Sequence, residues 1–213
     1  MISDTHGYHR DPHLELPDGD LLIHAGDLTM DGDMGVLYDV NEWFGELGKQ
    51  FNDIVVIGGN HDRTLGKPDM IAYKLFTNAI YLQNSSVRID DKLIWGCPDT
   101  PWNFPSLANY FAFGKTRDKM GFKGMPKDVD ILVTHCPPYG YGDKLAEHSS
   151  DPNVHIGDKK LLSLVQKYKP ELNVFGHIHE GYGVYEEKYT TFINASVVNE
   201  YYNLINDPVV MYL

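Results

Sequence analysis

The chain alternates short apolar runs with stretches of helical periodicity. Four runs have the length of buried strands and end in turn residues, and we predict strands at residues 21–25, 54–57, 131–134 and 172–175. Between them, apolar residues recur at helical spacing over residues 36–47 and 161–168, and the second pattern closes before Pro170. Strands that alternate with helices predict an α/β fold.

Two further segments have the pattern of hairpins. Residues 86–96 and 183–198 place β-branched and aromatic residues on either side of short polar turns. Residues 209–213 are apolar and are predicted to add a strand that closes a sheet. We therefore predict mixed sheets within a single domain that spans residues 1–213.

An aromatic stretch with weak periodicity interrupts this pattern at residues 98–124, which we predict to be rich in loops. Its aromatic side chains are Trp102, Phe104, Tyr110, Phe111 and Phe113. They would either stack on a nucleobase or form a small core under the loop. We favour packing.

Composition narrows the function classes. Asp and Glu outnumber Lys and Arg by 30 to 18, a net charge of −12, whereas nucleic-acid grooves need clustered basic side chains. We therefore expect no long nucleic acid as partner, and a small phosphorylated substrate such as a nucleotide is left open. Only Cys97 and Cys136 are cysteines, and the sequence shows neither a signal-like leader nor a long apolar run. This predicts a cytoplasmic protein with no disulfide framework and no membrane contact.

Metal-binding side chains follow the predicted strands, where an α/β sheet opens its ligand crevice. They occur at residues 4–6, 26–27, 59–62, 135 and 176–179. The predicted metal ligands are Asp4, His6, Asp27, Asn60, His135, His177 and His179. Each segment is weak evidence by itself, but their joint occurrence in this order predicts a metal site.

The spacing of these residues suits chelation. Asp4 and His6 point to the same side of an extended segment because one residue separates them. His177 and His179 are related in the same way, and the two oxygens of Asp27 can bridge two cations. Imidazole and carboxylate donors suit Mn, Fe, Zn, Co or Ni, so the donor types do not identify the metal. We expect two divalent ions, with Mn as the first candidate. Two such ions about 3.5 to 4 Å apart would generate hydroxide and clamp an in-line displacement at phosphorus.

A leaving alkoxide needs a proton, and we predict that His61 donates it. His61 directly follows the predicted ligand Asn60, and the next residue, Asp62, is predicted to hold the His61 imidazole. Arg63 is a minor candidate for a phosphate contact, since an exposed arginine at a helix start is an equally good interpretation. His24 lies inside a predicted strand and is interpreted as a buried histidine that does not bind metal.

The ordered motifs resemble those of the calcineurin-like metallophosphoesterases: Asp-x-His, Gly-Asp, Gly-Asn-His-Asp or Glu, a lone His, and Gly-His-x-His. All five are present. The similarity is greatest to the metallophosphoesterase-domain-containing branch at residues 17–27, 133–138, 174–183 and 190–196, and it covers nearly the whole chain. It implies a four-layer α-β-β-α sandwich of two mixed β-sheets flanked by helices.

The resemblance also implies a role for each ligand. One metal would bind Asp4, His6, Asp27 and His179, and the other would bind Asp27, Asn60, His135 and His177. Asp27 would be the bridge. Members of this branch are associated with phosphodiester hydrolysis, including that of cyclic nucleotides.

The sequence departs from the family pattern at two places. Only three residues precede Asp4, so we expect that the first strand is shortened or that upstream residues are missing. The Gly26-Asp27 pair lacks the Asp-Arg-Gly continuation of Ser/Thr protein phosphatases, which disfavours that activity.

We therefore predict an enzyme that hydrolyses small phosphodiesters, among them cyclic nucleotides, by metal-hydroxide attack with His61 as general acid. A phosphomonoesterase acting on a nucleotide or small metabolite is one alternative. A non-catalytic module that binds metal or nucleotide is another. The oligomeric state does not follow from the sequence.

Overall fold

The helices and strands of a computed structural model lie within residues 1–66, 71–101, 112–115, 119–145 and 154–213, the part of the chain that the structure describes. Its α-helices are α1 (Met34–Leu47), α2 (Ile71–Leu75) and α3 (Lys159–Tyr168). Its strands are β1 (Leu21–His24), β2 (Asp53–Val56), β3 (Ile80–Tyr81), β4 (Ser85–Ile89), β5 (Lys92–Cys97), β6 (Thr100–Pro101), β7 (Gly114–Lys115), β8 (Ile131–Thr134), β9 (Leu172–Phe175), β10 (Gly183–Glu186) and β11 (Thr191–Asn194). None of the described helices is long and apolar enough to cross a bilayer.

Two β-sheets form the framework. The smaller sheet has the strand order β1-β2-β3, and its neighbours are parallel. The larger sheet has the order β10-β11-β9-β8-β5-β4, in which the four central strands are parallel. The edge strands β10 and β4 are antiparallel to β11 and β5, so both predicted hairpins are confirmed and the larger sheet is mixed.

Three apolar clusters separate the layers. The first joins α1 and α2 to one face of the smaller sheet, the second lies between the two sheets, and the third joins the larger sheet to α3. Example pairs from the three clusters are Phe44 with Leu22, Ile23 with Val133, and Leu161 with Leu132. Strand side chains alternate between faces, which is why neighbouring residues such as Leu22 and Ile23 belong to different clusters. The order helix, sheet, sheet, helix confirms the predicted α/β class.

Helix α1 shows how the sequence pattern produces an element. The side chain of Asp33 caps the helix by accepting a hydrogen bond from the backbone N–H of Val36 at 2.9 Å. Leu37, Val40 and Phe44 then recur at helical spacing and are fully buried. The helix is therefore held against the smaller sheet along one apolar stripe.

The first residues of the chain connect the two sheets. Ile2 pairs with His24 at the end of β1, and Ser3 pairs with Ser196 beyond β11, each as an isolated parallel bridge. Both residues are fully buried. The short segment before Asp4 is therefore fixed on both sides, and it carries Asp4 to the edge where β1 and β9 end.

The predicted strand at residues 209–213 is wrong. The structure assigns no strand there, and only Val209 pairs with the chain, through hydrogen bonds of 3.0 and 2.8 Å with the backbone of Met1. The segment is apolar because Val209 and Met211 pack against the cluster between the sheets. The apolar residues that were interpreted as a strand thus reflect burial of an irregular segment.

The aromatic stretch is only partly described. Residues 100–101 and 114–115 form the short parallel pair β6 and β7. Phe113 is buried in the cluster beneath the smaller sheet, which agrees with packing for this residue. Trp102, Phe104, Tyr110 and Phe111 lie outside the described residues.

Two neighbouring positions of α1 test the layer assignment. Leu37→Ala should lower the free energy of unfolding by about 3 kcal/mol, because it leaves a cavity in the buried cluster. Tyr38→Ala should change it by less than about 0.5 kcal/mol, because that side chain is 57% exposed. Urea denaturation of both variants measures the difference. Similar values for the two would contradict the packing of α1.

Candidate metal centre

The predicted ligands converge where strands of both sheets end. Residues 26–27 follow β1, residues 59–62 follow β2, His135 follows β8, and residues 176–179 follow β9. Parallel strands end at the same edge of a sheet, so these loops meet there. Six side chains form two groups, in each of which the donor atoms lie within 4.8 Å of one another: Asp4, His6 and His179 in the first group, and Asp27, His135 and His177 in the second.

Asp27 lies between the two groups. Its Oδ2 atom is 3.3 Å from Nε2 of His135 and 3.9 Å from Nε2 of His6, so one carboxylate contacts a member of each group. Its Oδ1 atom accepts a hydrogen bond from the backbone N–H of His61 at 2.8 Å. The Asp27 carboxylate is therefore shared between the two groups.

Backbone carbonyls orient three of the imidazoles. Nδ1 of His6 faces the carbonyl of Thr29 at 3.2 Å, and Nδ1 of His135 faces that of Ala25 at 2.9 Å. Nδ1 of His179 faces the carbonyl of residue 199 at 3.0 Å. A carbonyl only accepts, so each Nδ1 carries the proton and each Nε2 presents its lone pair to the centre. Such carbonyl partners are typical of metal-binding histidines.

Two close contacts in the centre need a positive charge between them. Nε2 of His6 lies 3.4 Å from Nε2 of His179, and Nε2 of His135 lies 2.9 Å from Oδ1 of Asn60. When the imidazoles are neutral, these atoms are all acceptors and would repel one another. A proton or a metal cation between them removes the repulsion. The donor set therefore fits divalent cations, and Asn60 joins the second group.

Burial and the charges of neighbouring ligands set the pKa values of the buried groups in this centre. Burial raises the pKa of Asp4, but the hydrogen bond and charge of His179 outweigh it, so the net shift is downward. Burial likewise raises the pKa of Asp27, and His135 outweighs it. Burial lowers the pKa of His135, yet the Asp27 carboxylate raises it to about 9. Burial and the charge of His135 lower the pKa of His177 to about 3. A centre that keeps two buried carboxylates ionised also attracts cations.

The backbone at the ligands is unusual. Asp4, His6, Asp27 and His177 have φ angles of 56°, 44°, 53° and 69°, in the left-handed region that non-glycine residues rarely adopt. Such conformations persist only where the surrounding structure enforces them, and they concentrate at functional sites. The extended geometry predicted for the Asp4–His6 and His177–His179 pairs is therefore wrong in detail. The turns, and not strand alternation, bring each pair together.

Glycines beside the ligands permit the close approach of the loops. A Cβ atom on Gly59 would lie 2.2 Å from Oδ1 of Asp27, and one on Gly176 would lie 2.0 Å from Oδ2 of Asp4. Both contacts are far below a van der Waals separation. Any side chain at either position would displace a carboxylate from the centre.

His61 lies beside the first group. Its ring centroid is 4.9 Å from that of His6, and its Nδ1 atom faces the carbonyl of Met30 at 2.7 Å. The side chain is partly exposed. Its ring is therefore oriented by a backbone carbonyl, at the border between the buried ligands and solvent.

Asp62 has a different role from the predicted one. Its fully buried carboxylate accepts hydrogen bonds from the backbone N–H groups of Leu28 at 3.2 Å, Thr29 at 2.9 Å and Gly59 at 2.9 Å. It also accepts from the hydroxyl of Thr29 at 2.9 Å. These bonds join the loop after β1 to the loop after β2. We therefore correct the prediction that Asp62 holds the imidazole of His61, because the carbonyl of Met30 has that position.

His24 agrees with its interpretation as a buried histidine that does not bind metal. Its Nδ1 atom accepts from the backbone N–H of Gly26 at 3.3 Å, so Nε2 donates to the hydroxyl of Thr5 at 3.0 Å. Burial lowers its pKa to about 3, which keeps the ring neutral. Both ring nitrogens are satisfied, and His24 supports the segment between Asp4 and His6.

Sequence reasoning missed Tyr202. Its ring lies against His6 and His179, with centroid distances of 4.9 and 5.1 Å. Burial and the carboxylates of Asp27 and Asp4 raise the pKa of its phenol. Nothing in the local sequence indicates this position, because the residue belongs to a turn that follows the predicted hairpin.

Lysine and arginine side chains of the described residues do not pair with the ligands of this centre. Within the described part of the chain, none of the seven predicted ligands forms an ion pair or hydrogen bond with a lysine or arginine. Arg63, the minor phosphate candidate, is exposed. The negative charge of the carboxylates is thus left for imidazoles and bound cations.

Comparisons with known proteins agree with this geometry. A family model described as calcineurin-like phosphoesterase matches residues 1–181. The chain is 37% identical to human metallophosphoesterase domain-containing protein 1, over 99% of the chain and 69% of that protein. It is 35% identical to a UPF0046 protein of Caenorhabditis elegans, over 98% of the chain and 78% of that protein.

A solved crystal structure supports the fold. It superposes with a TM-score of 0.61 and covers 91% of this chain and 88% of its own, although only 16% of residues are identical. The family match, the relatives aligned over nearly the whole of this chain and the grouped candidate metal ligands all point the same way. The chain belongs to the calcineurin-like phosphoesterase family and is a metal-dependent phosphoesterase.

Proposed function

We propose that this phosphoesterase hydrolyses small phosphodiesters, including cyclic nucleotides, at a centre of two divalent cations. The observation that carries the proposal is the pair of adjacent ligand groups with the Asp27 carboxylate between them. One group alone would hold a single cation. Two groups that share a carboxylate are suited to a two-ion centre.

The residues would divide between the cations as the motifs imply. Asp4, His6, Asp27 and His179 would hold one ion, and Asp27, Asn60, His135 and His177 would hold the other. Mn is our first candidate, and the mixture of imidazole and carboxylate also suits Fe, Zn, Ni or Co. The bound cations would supply a nucleophile at neutral pH and charge stabilisation at phosphorus.

His61 would protonate the leaving oxygen. Its Nδ1–H is committed to the carbonyl of Met30, so the proton available for transfer in the imidazolium form is the one on Nε2. The ring lies next to His6 of the first group and is accessible from solvent. A general acid must have these two properties to reach a leaving group that departs toward water.

The charge around the centre favours a diester over a monoester. A monoester is a dianion near neutral pH, whereas a diester carries a single charge. Binding of the second charge calls for extra cationic side chains, and the seven ligands have no lysine or arginine partner among the described residues. Arg63 is the candidate through which a monoester preference would arise.

The reaction class is tested with matched aryl substrates. Metal-stripped protein, to which Mn is added stepwise, should cleave a phosphodiester faster than the corresponding phosphomonoester and should saturate near two ions per chain. Asp27→Ala should abolish activity and reduce metal content, whereas Asp18→Ala, at an exposed position, should do neither. Faster monoester cleavage would replace the diester proposal by the monoesterase, and saturation at one ion would contradict the two-ion centre.

The acid role of His61 predicts a dependence on the leaving group. His61→Ala should lower kcat by about 100-fold or more for an alkyl leaving group, which needs protonation, and far less for nitrophenolate, which does not. Metal content should stay at the wild-type value, because His61 is outside the ligand groups. An equal loss with both leaving groups would rule out proton donation by His61.

Asp62 is predicted to act through the loops. Asp62→Ala leaves three buried backbone N–H groups without their acceptor and should lower the free energy of unfolding by about 3 kcal/mol. His61→Ala should change stability by less than about 1 kcal/mol, since that side chain is partly exposed. Urea denaturation of the metal-free proteins compares the two. If Asp62→Ala is as stable as the wild-type protein and loses activity only toward the alkyl leaving group, the prediction that Asp62 holds the His61 imidazole would be reinstated.

A further inference from the structure

The Tyr202 ring lies against the first ligand group of the metal centre. Its ring centroid is 4.9 Å from that of His6, 5.1 Å from His179 and 6.2 Å from His61. The planes are inclined by 74°, 88° and 66°, so the contacts are edge-on. The ring therefore touches two ligands of the first group and extends toward the residue proposed as general acid.

The backbone holds this position against a conformational cost. Tyr202 has a φ angle of 60°, in the left-handed region that is unfavourable for a bulky side chain. A strained residue beside a reactive centre is a reason to ask what its side chain does there.

Asn199 enforces the turn. Its carbonyl accepts hydrogen bonds from the N–H of Tyr202 at 2.9 Å and from Nδ1 of the metal ligand His179 at 3.0 Å. Its side-chain Oδ1 accepts from the N–H groups of Tyr201 at 3.0 Å and Asn203 at 2.9 Å. One backbone carbonyl thus positions both a metal ligand and Tyr202. The position of the Tyr202 ring is therefore fixed with respect to His179.

The chemistry of the phenol fits what the centre lacks. The non-bridging oxygens of a phosphodiester gain negative charge in the transition state and need hydrogen-bond donors. A phenol is neutral at pH 7 and donates one proton, and the Tyr202 hydroxyl makes no hydrogen bond within the described residues. No lysine or arginine supplies a donor to the seven ligands in the same part of the chain.

We propose that Tyr202 is a catalytic residue whose hydroxyl donates a hydrogen bond to a non-bridging oxygen of the bound phosphate group. This inference rests on the proposed phosphodiester hydrolysis at the same site. The proton stays on the phenol, and no bond to the tyrosine forms or breaks. The role differs from that of His61, because the donated hydrogen bond stabilises charge at phosphorus whatever the leaving group is.

Tyr202→Phe is the decisive variant, because it removes the hydroxyl and keeps the ring. In the Mn-loaded protein, kcat/KM for the phosphodiester should fall by about 30-fold. The fall should be equal for alkyl and nitrophenolate leaving groups, in contrast to His61→Ala. Tyr201→Phe is the matched control, since the neighbouring side chain is 61% exposed and should leave kcat/KM unchanged.

A binding measurement separates this proposal from the proposed function. Calorimetry should show that inorganic phosphate binds Mn-loaded Tyr202→Phe at least about fivefold more weakly than it binds wild-type protein, at equal metal content. Unchanged phosphate affinity and unchanged kcat/KM would overturn the role of Tyr202, as would a loss of bound Mn that accounts for the whole effect. If wild-type protein cleaves no diester, the proposed function fails, and the phosphate affinities still decide the role of the hydroxyl.

Discussion

The centre depends on the attraction between two buried carboxylates, Asp4 and Asp27, and the imidazoles that surround them. Burial would neutralise these carboxylates, but His179 and His135 keep both of them ionised. The centre also brings acceptor atoms of imidazoles and an amide within 2.9 to 3.4 Å of one another, and a proton or metal cation between them removes their repulsion. The two sheets position these side chains, because the loops that carry them follow strands that end at the same edge.

Much of the framework could be predicted because it depends on local patterns. Apolar runs of strand length, the capped helical stripe of α1 and the two hairpins are each encoded within a few neighbouring residues. Residues 209–213 show the limit of that reasoning. Val209 packs between the sheets, and its apolar character follows from that burial. A short apolar run has the same sequence pattern in a strand and in a buried irregular segment.

The convergence of the predicted ligands could be anticipated because their chemical types are rare and ordered along the chain. The structure brings six of them into two groups and places Asn60 beside His135. The partners of the histidines could not be predicted in the same way. Asp62 is adjacent to His61 in sequence, yet its carboxylate turns toward the backbone of the loop after β1. The carbonyls of Thr29, Met30, Ala25 and residue 199 orient the rings instead, and a backbone carbonyl leaves no mark on the sequence.

The carbonyl of Asn199 has a consequence for how this family diversifies. The family match ends at residue 181, whereas Asn199 and Tyr202 lie beyond it. A turn beyond the part of the chain that the family model matches thus orients one of the metal-binding histidines, His179. Under the proposed role of Tyr202, replacement of that turn would alter phosphate binding while the metal-binding motifs are retained. Relatives with identical motifs but different tails are accordingly expected to differ in substrate preference, and classification by motif alone would group them together.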